Sequence, residues 1–131
     1  MSKSFQTGGI HMEQQDGDVL LVEAYGGGGF RFLGARVEGS VFVTDAGFFP
    51  VEAAEASALT EGSFKLALES PPEILLIGTG EKMTLLPAAL RKWLQASGMG
   101  YELMDTGAAA RTFNVLRLED RRVAALLIQV P

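Results

Sequence analysis

The alternation of apolar and polar residues changes character about halfway along the chain. In the first half, apolar residues come in short runs bounded by glycine: Val19, Leu20, Leu21 and Val22; Phe30 and Phe32 around Arg31; Val41, Phe42 and Val43 after Gly39 and Ser40. Runs this short, separated by residues that tolerate tight turns, predict β-hairpins or a small meander. A helix is predicted around 60–69, with Leu59, Phe64, Leu66 and Leu68 as its apolar positions. Pro71 and Pro72 end it, because proline carries no amide hydrogen to continue the ladder.

In the second half the runs lengthen and alternate with helical spacing. Glu73 is followed by Ile74, Leu75, Leu76 and Ile77 and closed by Gly78, Thr79 and Gly80, the pattern of a strand covered on both faces. Pro87 suits the first position of a helix, along which Leu86, Leu90, Trp93, Leu94 and Ser97 share one face, and Gly98 supplies a left-handed terminator. A short strand is predicted over 101–104. Asp105 or Thr106 then caps a helix that buries Ala109, Phe113 and Leu116, with Val115 alongside. A last strand is predicted over 122–130. The order is β-hairpins, a helix, then β-α-β-α-β, which predicts an α/β domain with an extra β layer from the first half.

Composition narrows the chemistry. The 131 residues fit one domain over 1–131, with 1–15 read as a flexible lead-in. Cysteine is absent, so disulfides, thiolate catalysis and cysteine metal sites are excluded. The single histidine, His11, cannot complete a metal cluster or a triad alone. A net charge of −5 without clustered lysine and arginine argues against a nucleic-acid surface. The start carries no apolar signal-like run, and the longest apolar stretch, 123–130, is interrupted by Gln129 and is of strand length. The expectation is a cytoplasmic protein with no integral membrane segment, no metal and no bound cofactor.

Three glycine-containing segments are candidate sites. Gly26 to Gly29 lack the following Gly-Lys-Ser/Thr of a phosphate loop and read as a tight turn or bulge with positive φ. Gly78-Thr79-Gly80 follows a strand, yet Met83 stands at the third glycine position and Pro87 delays the helix, so a dinucleotide site fails. Asp105-Thr106-Gly107 joins a strand directly to a helix, leaving free N–H groups at the helix start. If the strands before Thr79 and Thr106 are parallel neighbours, both threonines reach the carboxyl edge of the sheet, where open α/β sheets bind ligands. The plainer reading is that Asp105 and Thr106 cap the helix and Thr79 ends a strand. Arg111 and Asn114 share a helix face, followed by Arg117 and Arg121. Arg111 sits one turn into the helix, where the dipole does not favour a cation, which suggests an anion or a partner carboxylate as its task. Thr79, Asp105, Thr106, Arg111 and Asn114 are therefore the candidate ligand or partner site. Glu102, Asp105 and Glu119 have no second group at catalytic distance, Ser40, Ser63 and Ser70 lack a nucleophile context, and Trp93 belongs to a helical core face.

Residues 72–80 (Pro-Glu-Ile-Leu-Leu-Ile-Gly-Thr-Gly) and 104–116 (Met-Asp-Thr-Gly-Ala-Ala-Ala-Arg-Thr-Phe-Asn-Val-Leu) resemble a widespread family without an assigned reaction. It includes mitochondrial complex I assembly factor three and an adipogenesis-associated cytosolic protein. Residues 119–126 resemble the family's ending, and 25–32 and 39–41 are similar more loosely. The resemblance implies a three-layer fold with a central mixed sheet plus the extra β portion, and leaves the direction of the last strand open. Ala110 stands where many relatives carry cysteine and Phe113 where they carry tyrosine, which counts against thiol chemistry as a family-wide mechanism. Asp120 replaces a common glycine, so a differently built last turn is expected. The implied role is a non-enzymatic interaction or assembly factor with protein partners, respiratory complex I or membrane-assembly components among them. A bacterial member without a targeting segment would act in the cytoplasm or at the inner face of its membrane. The alternative is a small-ligand or anion-binding module, even an enzyme, at the carboxyl edge.

Overall fold

The computed structural model describes residues 19–131 in full, together with the backbone of two amino-terminal strands, β1 (Ser2–Thr7) and β2 (Ile10–Gln15), paired antiparallel. The side chains of 1–18, with His11 and the lead-in expected at 1–15, lie outside the described residues. Next come β3 (Ala24–Gly26), β4 (Gly29–Phe32) and β5 (Ala35–Glu38), a three-stranded antiparallel sheet. The β3–β4 turn places Gly26, Gly27 and Gly28 at positive φ, the tight-turn reading of the glycine run. Then follow β6 (Ser40–Val43), β7 (Phe48–Val51), two 3₁₀ turns (Ala56–Ala58 and Glu61–Phe64), α1 (Lys65–Glu69), β8 (Ile74–Gly78), α2 (Ala88–Ala96), β9 (Tyr101–Met104), α3 (Thr106–Leu118) and β10 (Val123–Leu127).

The larger sheet has the order β7-β6-β10-β8-β9. Its last strand settles the open question of direction: β10 runs parallel to β8 and antiparallel to β6. The sheet is mixed because β8, β9 and β10 are joined by helices, whereas β6 and β7 form a hairpin. Connections between parallel strands are right-handed. The chain steps outward from β8 to β9 and then back across β8 to β10, so α2 and α3 must lie on opposite faces.

The core follows the two-residue period of the strands. Val123, Ala125 and Leu127 of β10 join Val41, Val43 and Leu76 on one face, packed against Ala109, Ala110 and Phe113 of α3 and Phe30 and Phe32 of the small sheet. Ala124 and Leu126 join Phe42, Phe49, Leu75 and Ile77 on the other, under Phe64, Leu90 and Leu94. The result is the three-layer α/β architecture, with the small sheet beside α3 in one outer layer. Gly78 lets α3 cross β8 closely: a Cβ there would lie 2.8 Å from Thr106 Cα.

Several local expectations change. Residues 19–22 form no strand; Leu20 and Val22 are buried beneath the outer layer, and β3 begins at Ala24. Tertiary burial, not ladder pairing, uses that apolar run. The helix expected over 60–69 divides into a 3₁₀ turn and the five-residue α1, and Leu68 is exposed. β7 escaped notice because it contains Pro50, which is tolerated since β7 is an edge strand. Pro87 is the residue before α2, not its first. The last ladder spans 123–127, inside the expected 122–130. Asp120 takes φ +60° while its N–H donates to the Arg117 carbonyl and the Arg121 N–H donates to the Leu116 carbonyl. This is the terminator a glycine usually makes, so the aspartate leaves the turn type unchanged.

Candidate functional site

β8 and β9 are parallel neighbours, and Thr79 and Thr106 follow them at the same carboxyl edge. One connection departs to each face of the sheet, so this edge is the topological switch point at which open α/β folds form a ligand crevice. Here the threonine side chains are engaged by the protein itself, and two open depressions, of about 560 Å³ beside Thr79 and about 260 Å³ beside Asp105, border the edge. Thr106 is fully buried, its hydroxyl donates to the Ile128 carbonyl at 2.7 Å, and it accepts from the Gly80 N–H at 2.9 Å. The Thr106 N–H donates to the Gly80 carbonyl at 2.8 Å. One residue thereby ties the ends of β8, β9 and β10 together. Thr79 donates its hydroxyl to the Lys82 carbonyl and accepts from the Thr84 N–H, both at 2.9 Å, which folds the 79–84 loop back on itself.

Asp105, not Thr106, is the helix cap: its Oδ1 accepts from the Ala108 N–H at 2.8 Å. Asn114 works as a backbone mimic. It donates to the Val22 carbonyl at 2.9 Å and accepts from the Val22 N–H at 2.8 Å, so Val22 is held by a side chain in place of a strand partner. Of the five candidates, Thr79, Asp105, Thr106 and Asn114 thus have structural partners.

Arg111 stands apart. Its Nη1 donates to the Tyr25 hydroxyl at 2.9 Å, across an exposed contact between α3 and the small sheet. Gly107 makes room for that ring, since a Cβ there would lie 2.6 Å from the Tyr25 oxygen. Arg111, Tyr25 and Gly107, with Gly80, Glu81 and Asp105, border an open depression of about 260 Å³. Its charges are mixed, one guanidinium among two carboxylates. Among the described residues, no group of three or more histidines and carboxylates is placed to hold a metal ion.

Two participants were not singled out from sequence. Tyr25 looked like a turn residue, and only the fold brings it to Arg111, 86 positions away. Ser40 was weighed only as a nucleophile. It is buried, donates to the Ala53 carbonyl at 2.6 Å and accepts from the Gln129 N–H at 2.9 Å. With Thr106 on Ile128 and the Gly28 N–H on the Val130 carbonyl (2.7 Å), it fixes the residues after β10 to three separate segments. The only sequence signal for Ser40 was a small hydroxyl beside an apolar run.

Fold and edge together define a three-layer α/β domain with a mixed sheet and internally paired threonines at its switch point. The chain belongs to the family described as a protein of unknown function (DUF498/DUF598), whose model matches residues 22–128. An uncharacterized protein of Rhodobacter capsulatus is 35% identical over 113 residues, covering 86% of this chain and 87% of that protein. The human NADH dehydrogenase [ubiquinone] 1 alpha subcomplex assembly factor 3 is 29% identical over 122 residues, covering 92% of this chain. This chain spans 66% of the human factor's own length. Among solved structures, one titled an outer membrane protein from Bartonella henselae superposes with a TM-score of 0.78 at 40% identity, covering 86% of this chain and 97% of that one. Among the described residues, no helix is long and apolar enough to cross a membrane.

Proposed function

We propose that the chain works through protein partners as a non-enzymatic assembly factor, in the manner that the name of its human relative implies for respiratory complex I. It would do so in the cytoplasm or at the inner face of a membrane. The observation that carries this reading is that the Thr106 and Thr79 hydroxyls, placed where a ligand would be recognised, are already paired with backbone groups. Beside that edge, the 79–87 loop leaves Met83 56% and Leu85 64% exposed, and neighbouring apolar side chains of this kind favour a protein contact over a solute. The test is capture with a tagged chain from native cells after crosslinking. Subunits or assembly intermediates of the respiratory NADH dehydrogenase are expected to be enriched over an unrelated tagged control. Recovery of neither counts against the reading.

A second reading draws on the one candidate whose partner is exposed. The depression at Arg111 and Tyr25 offers a guanidinium and a phenol to a small anion. A ligand present at 100 times its Kd would stabilise the fold by about 2.7 kcal/mol. The reading therefore requires a raised melting temperature with small anions or metabolites, lost in Arg111→Ala. A flat response across a metabolite panel rejects it.

A further inference from the structure

The larger sheet ends in two edges of different character. The β7 edge carries Pro50, and β2 lies against it. The β9 edge has neither protection. Gly78 pairs with Met104, and the Thr79 N–H donates to the Met104 carbonyl at 2.9 Å. In a parallel ladder a residue turns its N–H and C=O to the same side, so Glu102 and Met104 face β8 while Tyr101 and Leu103 direct theirs outward. Among the described residues no group hydrogen-bonds to those outward N–H and C=O groups. Two unpaired donors and two unpaired acceptors in register form a template for one more strand.

From this edge we infer that β9 receives an extended segment of a partner protein carrying a lysine or arginine opposite Glu102, with apolar residues on either side. This deepens the partner-binding reading above and rests on it. The charge on the edge selects the occupant. Glu102 is exposed and has no ion pair among the described residues, and it lies between the two residues whose backbone groups face outward. A second copy, joined antiparallel so that Tyr101 meets Leu103 of its mate, would set the two Glu102 carboxylates directly opposite each other. Like charges so placed are destabilising, whereas an opposite charge is favourable. On the other face Tyr101 and Leu103 are half-buried, in the same apolar cluster as Trp93 and Met99. The incoming residues that pair with them would extend that cluster, which asks for β-branched or aromatic side chains there.

The test uses the full chain and two synthetic peptides of alternating sequence, valine–lysine and valine–glutamate. The lysine peptide is expected to slow exchange of the Tyr101 and Leu103 amides at least about tenfold, and the glutamate peptide to leave them unchanged. Glu102→Lys should reverse the preference by about tenfold in affinity. Leu103→Pro removes an outward N–H without touching the β8 ladder and should abolish the protection. Should Leu103→Pro fail to fold, the Glu102→Lys reversal decides alone. The inference is overturned by unmoved exchange at saturating peptide, by equal binding of both peptides, or by a self-associated chain in which both amides are already protected. In native cells, partner capture that survives Glu102→Lys and Leu103→Pro overturns the β9 inference and leaves the assembly reading standing. Absence of any respiratory partner from the unaltered chain removes the assembly reading itself.

Discussion

Thr106 and Gly80 bond to each other in both directions. The Thr106 N–H donates to the Gly80 carbonyl at 2.8 Å, and the Gly80 N–H donates to the Thr106 hydroxyl at 2.9 Å. The pair ties together the place where two parallel strands send their connections to opposite faces. Among the described residues, the Thr106 hydroxyl is also the only side-chain group holding Ile128 at the end of β10. Thr106→Val keeps the shape and leaves one donor and one acceptor buried without partners, a cost of about 2–4 kcal/mol in total. Thr106→Ser should recover most of that loss. Urea denaturation of the two variants checks it, and equal stability of valine and serine at this position contradicts the structural role.

Gly78 tests the spacing between β8 and α3. Gly78→Ala places a methyl 2.8 Å from Thr106 Cα and 3.1 Å from the Ala109 methyl. Backbone cannot swing aside as a side chain does, so the expected loss is about 1–3 kcal/mol with a disturbed α3 start. The readout is the denaturation midpoint, together with the amide shift of Gly80.

Asn114 tests the unpaired amino-proximal segment. Asn114→Ala leaves the Val22 N–H and C=O without their side-chain partner and should cost about 1–3 kcal/mol. Exchange of the Val22 amide should quicken more than that of the core strand β10, because the segment has no ladder of its own. Uniform quickening across the chain contradicts a local tether.

Asp120 holds a left-handed backbone at φ +60° without glycine's freedom. Asp120→Gly is expected to stabilise the chain by about 1 kcal/mol, read as a raised melting temperature. A neutral or lowered value means that the aspartate side chain contributes something the turn geometry does not require.

The carboxy-terminal β-α-β-α-β order was legible because β8 and β10 are buried on both faces and the helices carry apolar faces with recognisable ends. The resemblance through 104–116 supplied the mixed sheet, which periodicity could not. The first half was harder to read for physical reasons. Strands β3 to β7 are three or four residues long, β7 contains a proline, and the 19–22 run gains its stability from burial and from Asn114, 92 positions away. The Thr79 and Thr106 edge was found from strand–turn–helix spacing, but whether its hydroxyls were free or paired depended on where Gly80, Lys82 and Ile128 lay. Tyr25 illustrates the same limit: nothing local to a glycine-rich turn says that its ring will meet Arg111.

The proposed role of this domain is in the assembly of a respiratory enzyme, not in a reaction of its own. The most direct measurement is the assembly state of the respiratory NADH dehydrogenase in native cells lacking the chain, resolved on native gels and stained for activity. The account predicts subassemblies accumulating at the expense of the full enzyme, restored by the intact chain. Full, active enzyme at normal abundance without the chain contradicts it.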